Sequence, residues 1–367
     1  MNDATTFLPA GRASAWYALL STAAAVLLSV LGFIVPLPWS ATTRQQMRIT
    51  MVCVSGFSWD RIIPLHRQGQ LPFIARLFSR CCAYGDIVSP FFPGDTAILA
   101  TLFTGRLPAF HGIHRPEDLA KLTSERRQRI AIWDELATQG QRCAVIGFPV
   151  AAGTSTSARN IIFKPAEQHS SPEAARGEYE HRITQGRAVP SGLRQFLRAC
   201  ISSDIELLRF AVEAVDTSSP AHLFAYFEGL GRWQERLASG VDKLPEAVCA
   251  ELIDNYYVFF DAVLSALQQR MGKHDTFLLL SERGNLNGCP TYWKDVHMQG
   301  ECPAVGFFYA TGRHIREGAE PLFIKPADIV PTLVYLAGTP VRNTMNGIVN
   351  FDLLEDEFYF QHKLVYK

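Results

Sequence analysis

The stretch richest in usable chemistry is SPFFPGDTAILATLFTGRLPAFHGI, residues 89–113. Pro93-Gly94 breaks the extended run before it, Asp95 and Thr96 are helix-capping types, and Ala97 to Phe103 continues as an apolar helix. The positive end of such a helix suits a nucleophile or a bound anion, and the polar side chain presented there is Asp95 or Thr96. A tight turn containing Gly105, Pro108 and His111 closes the stretch. For His111 alone the plainer role is packing in that turn.

Placing such a group requires a rigid frame, and the rest of the chain predicts one. RITMVCV, residues 48–54, reads as a first buried parallel strand ending at Ser55-Gly56. Helices are expected over 59–66, 71–82 and 130–139, with a strand and then a loop over 143–153. Residues 164–192 form a polar surface excursion. A long helix follows over 193–215, then a buried strand ending in a turn over 222–234. Ile253, Tyr256, Phe260, Val263 and Leu267 fall at helical intervals within 246–271. A strand with its exit turn (275–285), a late strand (303–312) and a C-terminal edge strand (357–367) complete the pattern. Strands alternating with helices predict an α/β fold, a mostly parallel central sheet with helices on both faces.

The 367 residues have room for one large α/β domain, and 48% hydrophobic residues suffice for a sizeable core. Net charge is zero, so no global field draws the chain to nucleic acid, and no nucleic-acid partner is expected. Residues 13–43 carry no charge, and Trp16 to Val35 is almost continuously apolar, which predicts one N-terminal transmembrane helix. The small-residue pattern of a cleaved signal peptide is missing near Ser40 and Ala41, so an uncleaved anchor is expected. The organisation is then a tail (1–12), an anchor (13–38), a linker (39–47) and an α/β domain (48–367). None of the eight cysteines forms a CxxC or a Cys/His zinc spacing. Cys53 and Cys143 lie in strand-like runs as core thiols, whereas Cys289 and Cys302 could bridge a loop in an oxidising compartment.

Thr101, Thr104, Gly105, Pro108, His111, Gly112 and Ile113 match the ending of the nucleophile segment in the alkaline phosphatase superfamily, above all its type I phosphodiesterase and nucleotide pyrophosphatase branch. The resemblance extends over about residues 48–350. It includes Gly56, Trp59, Asp60, Leu71, Pro72, Ala75, Arg76 and Leu77 early in the chain, and Ser281, Gly284 and Asn285 later. It closes on KPADIVPTLVYLAGTPV and NGIV, within residues 325–349. It implies an alkaline phosphatase-like fold, an outward-facing domain, and two divalent metals, zinc or manganese, that clamp a phosphoryl group and activate a hydroxyl.

Carried over residue by residue, the family's functional positions fall on Ser55, on Asp95 or Thr96, and on Glu228, Arg232, Glu282, Arg283 and His297. An arginine keeps its proton and has no lone pair, so Arg232 and Arg283 cannot bind a metal. Ser55 stands where the family has a ligating aspartate. The resemblance therefore implies a protein that has lost its two-metal site, with no metal cofactor, in which arginines and carboxylates fill the old pocket. In the plainer alternative, both arginines point to solvent from loop ends. The expected function is a membrane-anchored binding or scaffold protein without catalysis, partnered by an anionic ligand or an envelope protein. The alternative is an active hydrolase of phosphate or sulfate esters that uses Thr96 and a reduced or shifted metal set.

Overall fold

The computed structural model describes residues 47–80, 82–89, 94–120, 131–149, 161–164, 173–270, 276–284, 305–318 and 322–367. The expected anchor and linker up to residue 46, His297, and the Cys289–Cys302 pair lie outside these residues. Met47–Lys367 is one compact unit. Among the described residues, no helix is long and apolar enough to cross a membrane.

Among the described residues, eight strands form one sheet: β1 (Ile49–Val54), β2 (Ala83–Val88), β3 (Cys143–Ile146), β4 (Ile161–Lys164), β5 (His222–Phe227), β6 (Thr276–Leu280), β7 (Val305–Thr311) and β8 (Leu322–Ile324). Their order is β4-β3-β5-β1-β6-β7-β2-β8. Only β7 runs against its neighbours, β6 and β2. The expected α/β, mostly parallel sheet is thus present. At its centre, β1 lies between β5 and β6, with Val54 opposite Phe227 and Cys53 opposite Leu280. These three strands end side by side at adjacent positions, about 4.8 Å apart.

Strand alternation explains why helices cover both faces. Met51, Cys53, Phe224, Tyr226, Leu278 and Leu280 join one apolar core, while Val52, Val54, Ala225, Phe227 and Leu279 join another. A strand buried on both faces has no polar side to show, which is why these runs read as continuous apolar sequence. Among the described residues there are twelve α-helices, in chain order α1 (Trp59–Arg67), α2 (Pro72–Phe78), α3 (Asp95–Thr104), α4 (Pro108–His111), α5 (Pro116–Ala120), α6 (Ile132–Thr138), α7 (Glu173–Thr184), α8 (Ser191–Ser218), α9 (Gly229–Ala238), α10 (Glu246–Gln268), α11 (Ile329–Leu336) and α12 (Asp356–Gln361). Residues of α3, α6 and α11 pack into the first core, and residues of α1, α2, α8, α9 and α10 into the second.

Three local expectations differ from the structure. The segment read as a turn after β5 is instead helix α9. Gly229 and Gly231 resemble turn residues in sequence, but Leu230, Trp233 and Leu237 follow at helical spacing and all three are buried. Of the C-terminal segment read as an edge strand, the part up to Gln361 is instead α12, and beyond it Tyr366 forms an isolated parallel bridge with Val341. Asp356 and Glu357 occupy the first turn of α12, Phe358 is its buried anchor, and the Phe358 ring stacks on His362 at 4.3 Å. The helix expected to reach residue 82 stops at Phe78, because β2 begins at Ala83. Strand β2 holds Gly85, where a Cβ would stand 1.9 Å from the Leu322 carbonyl oxygen of β8. Within the polar 164–192 stretch, α7 buries Ile183, and its Glu180 accepts a 2.5 Å hydrogen bond from Arg198 of α8.

Candidate functional site

The candidate site lies where β1, β5 and β6 end and α3 begins, at the carboxyl edge of the parallel strands. After β1, the Ser55 N–H donates to the Phe227 carbonyl at 2.9 Å, and Gly56 turns the chain with φ of +80°. The Gly56 carbonyl accepts from the Tyr257 hydroxyl at 2.8 Å and the Gln234 amide at 2.9 Å. Helix α9 can lie against this turn because Gly231 has no side chain: a Cβ there would stand 2.4 Å from the Ser55 hydroxyl oxygen. After β6, the Ser281 hydroxyl accepts from the Phe57 N–H at 3.1 Å and donates to the Arg283 carbonyl. Both exit turns are therefore fixed by hydrogen bonds.

Helix α3 starts at Asp95 with Gly94 as its N-cap, so Asp95 and Thr96 occupy the first turn and neither is the cap. Both are half-buried. Across from them, the Arg283 side chain is only 14% exposed and lies between two carboxylates, with Nη1 2.5 Å from Asp95 and Nη2 2.5 Å from Glu235. Burial lowers the Arg283 pKa, but the surrounding carboxylates, Asp95 foremost, outweigh it and hold the guanidinium protonated. Burial raises the Asp95 carboxyl, and Arg283 only partly offsets it. Arg232 pairs separately with Glu228, one turn earlier at 3.2 Å, and its guanidinium carbon stands 5.5 Å from the Phe196 ring centre.

Glu282 has a different environment from its neighbour. It is 1% exposed and turned inward, accepting from the Cys53 thiol at 3.6 Å and the Tyr226 hydroxyl at 3.4 Å. Burial raises its carboxyl pKa, with the Ser55 hydroxyl acting in the opposite sense. The same burial, reinforced by the nearby Glu282 charge, keeps Cys53 and Tyr226 protonated. This cluster is held by neutral donors, without a directly paired cation.

His111 is fixed in one tautomer. The Thr101 hydroxyl donates to the Ala97 carbonyl at 2.8 Å, so the 3.1 Å contact with His111 is a bond donated by Nε2–H. Nδ1 accepts the Ile113 N–H at 3.0 Å. Burial, with His114 nearby, lowers the ring pKa to about 4. The imidazole is neutral with both nitrogens engaged, which makes it a structural member of the turn.

The structure brings Asp95 and Arg283 together, pairs Glu228 with Arg232, and places Glu282 beneath Ser55; His297 lies outside the described residues. Sequence reasoning did not find Glu235, the second partner of Arg283. The signal was available: Glu228, Arg232 and Glu235 follow helical spacing, but only a helix makes that spacing meaningful. Cys53 and Tyr226 were likewise legible only as strand residues.

The sequence model of the type I phosphodiesterase / nucleotide pyrophosphatase family matches residues 50–298. The chain belongs to this family. Murine ectonucleotide pyrophosphatase / phosphodiesterase 5 has a similar fold, with TM-score 0.55 and 11% identity over 84% of this chain and 100% of that one. The human counterpart gives TM-score 0.51 and 12% identity over 84% and 100%. A 2-O GAG sulfatase gives TM-score 0.55 and 14% identity over 84% and 74%. At such identities the likeness concerns fold. No curated protein matches the sequence.

Type I phosphodiesterases as a family imply divalent metals, and the fit can be judged only on the donors among the described residues. Among the described residues, no three His, Cys, Asp or Glu side chains converge on one point. Arg283 brings a fixed positive charge between Asp95 and Glu235, and Arg232 engages Glu228. Ser55 is packed against Gly231, and Glu282 is directed at the Cys53 thiol. Among the described residues, Asp95, Glu235 and Glu228 are engaged by arginines and Glu282 by neutral donors.

Proposed function

We propose that this family member is a membrane-anchored protein, held by residues 13–38 with its main domain outside the cytoplasm, that binds or scaffolds without two-metal hydrolysis. Arg283 carries this reading. A guanidinium between Asp95 and Glu235 at 2.5 Å supplies to those carboxylates the positive charge a metal would supply. It offers no coordination site for a phosphoryl or sulfuryl oxygen to exchange into, and it repels an incoming cation. The partner proposed is an anion that displaces a carboxylate from Arg283 or Arg232, or an envelope protein presenting one.

The test is the metal content of the full chain in detergent, equilibrated with zinc and manganese and then gel-filtered. Less than a tenth of an equivalent is the expected result. Two equivalents per chain, with a Thr96→Ala variant losing hydrolysis of a phosphodiester or sulfate ester, would establish the active hydrolase instead.

A further inference from the structure

Beneath the Glu228–Arg232 pair lies a buried carboxyl that the site does not use. Asp204, on α8, is 0% exposed. Its Oδ2 accepts from the Tyr256 hydroxyl of α10 at 2.8 Å, and its Oδ1 accepts the N–H of Gly229, the first residue of α9, at 3.3 Å. The approach is close: a Cβ on Gly229 would stand 2.3 Å from Asp204 Oδ2 and 2.4 Å from the Tyr256 hydroxyl oxygen. One side chain thus joins three helices at the start of the helix that carries Arg232.

The charged and titratable groups facing Asp204 are Cys200 on its own helix, Glu228 at the N-cap of α9, Arg232 on α9, and Tyr256 on α10. Cys200 and Tyr256 are neutral, because burial raises both. Glu228 opposes ionisation of Asp204 and Arg232 favours it, but Arg232 is engaged by Glu228. An ionised Asp204 would therefore be a fully buried anion with two neutral donors and no cation of its own.

We propose that Asp204 is a pH-responsive clamp: because it is fully buried without a cation of its own, the first turn of α9 stays closed on α8 and α10 more firmly when Asp204 is neutral, and once it is ionised the cost of the buried charge makes opening of that turn, and of the Glu228–Arg232 pair with it, easier even though its two hydrogen bonds persist. Burial, the largest influence, pushes the carboxyl up to about 7 despite the Tyr256 and Gly229 hydrogen bonds. Opening that exposes Asp204 to water returns it to an ordinary carboxylate. Linkage then fixes the sign: the closed state binds the extra proton, is favoured at acid pH, and weakens as pH rises to neutrality.

The clamp is independent of what the neighbouring site binds, and it is tested by hydrogen exchange of the α9 first-turn amides in the full chain in detergent. Exchange is followed from pH 5 to 8.5 and corrected for the intrinsic pH dependence of the chemistry. The opening constant of the parent should rise about tenfold per pH unit between pH 5 and 6.5 and level off above neutrality. Asp204→Asn should remove that slope. Tyr256→Phe, which deletes a donor favouring the ionised form, should move the transition to higher pH and decides the matter if the Asn variant does not fold. A flat parent profile, an Asn variant with the parent slope, or an unmoved Phe transition would each overturn the clamp.

Discussion

Glu282 and Arg283 follow one another at the end of β6 and turn in different directions. The Glu282 carboxyl points inward to Cys53 and Tyr226, while the Arg283 guanidinium points to Asp95 and Glu235. A two-metal site needs consecutive donors at this position facing a common point. Here the pair splits between a proton-rich interior and an ion-paired rim, so the two residues are expected to answer different perturbations.

Arg283→Ala should cost more stability than Arg232→Ala. Arg283 is 14% exposed and compensates two carboxylates, whereas the Arg232–Glu228 side chains are 38% and 34% exposed and form one helical pair. Denaturant unfolding should show about 1–2 kcal/mol for Arg283→Ala, discounted from the buried-pair range because Asp95 and Glu235 reach solvent. For Arg232→Ala, about 0.5 kcal/mol or less is expected. Equal losses would mean that Arg283 is not the stronger link.

Glu282 governs a pH dependence of its own. Its folded-state pKa is raised, so the folded protein holds a proton that the unfolded chain releases. That contribution to stability is present below the ordinary glutamate pKa and is lost as pH rises through the raised value. Glu282→Gln keeps the shape and stays neutral throughout. Unfolding midpoints at pH 5 and pH 8 should therefore lie closer together in this variant than in the parent, with the gain at pH 8. An unchanged separation would show that Glu282 titrates normally.

The packing of α9 on the β1 exit turn gives a steric prediction. Gly231→Ala places a methyl 2.4 Å from the Ser55 hydroxyl oxygen and 2.8 Å from its Cβ. Overpacking of this kind costs about 1–3 kcal/mol. Combining it with Ser55→Gly removes both clashing atoms, so the double variant should lose less than the sum of the single ones. Additive losses in thermal unfolding would place the two residues out of contact.

The fold was legible because it is written in burial. Val52, Val54, Phe224 and Leu279 are apolar in strands covered on both faces, and that pattern survives without knowledge of partners. The site was legible only as positions. Asp95, Glu228, Arg232, Glu282 and Arg283 could be located along the chain, but which carboxylate each arginine engages depends on α9 being a helix. Gly229 and Gly231 concealed that helix, because their smallness serves contact with Asp204, Tyr256 and Ser55 and resembles turn chemistry when read locally.

If the proposed loss of the metal site rests on Arg232 and Arg283, replacing both should restore metal affinity. Arg232→His with Arg283→His removes two fixed charges and supplies two imidazoles with lone pairs. At position 232 the imidazole would lie one helical turn from Glu228, on the same face of α9. At position 283 the exchange would free Asp95 and Glu235 from their cation. Zinc affinity, measured by competition with a chelating dye, should rise at least about tenfold over the parent, because the repulsion and the missing donors are corrected together. The gain should also fall as pH drops below the histidine range, since protonated imidazole binds no metal. If the double variant binds zinc no better than the parent, the barrier lies deeper, in Ser55 packed against Gly231 and in Glu282 turned toward Cys53.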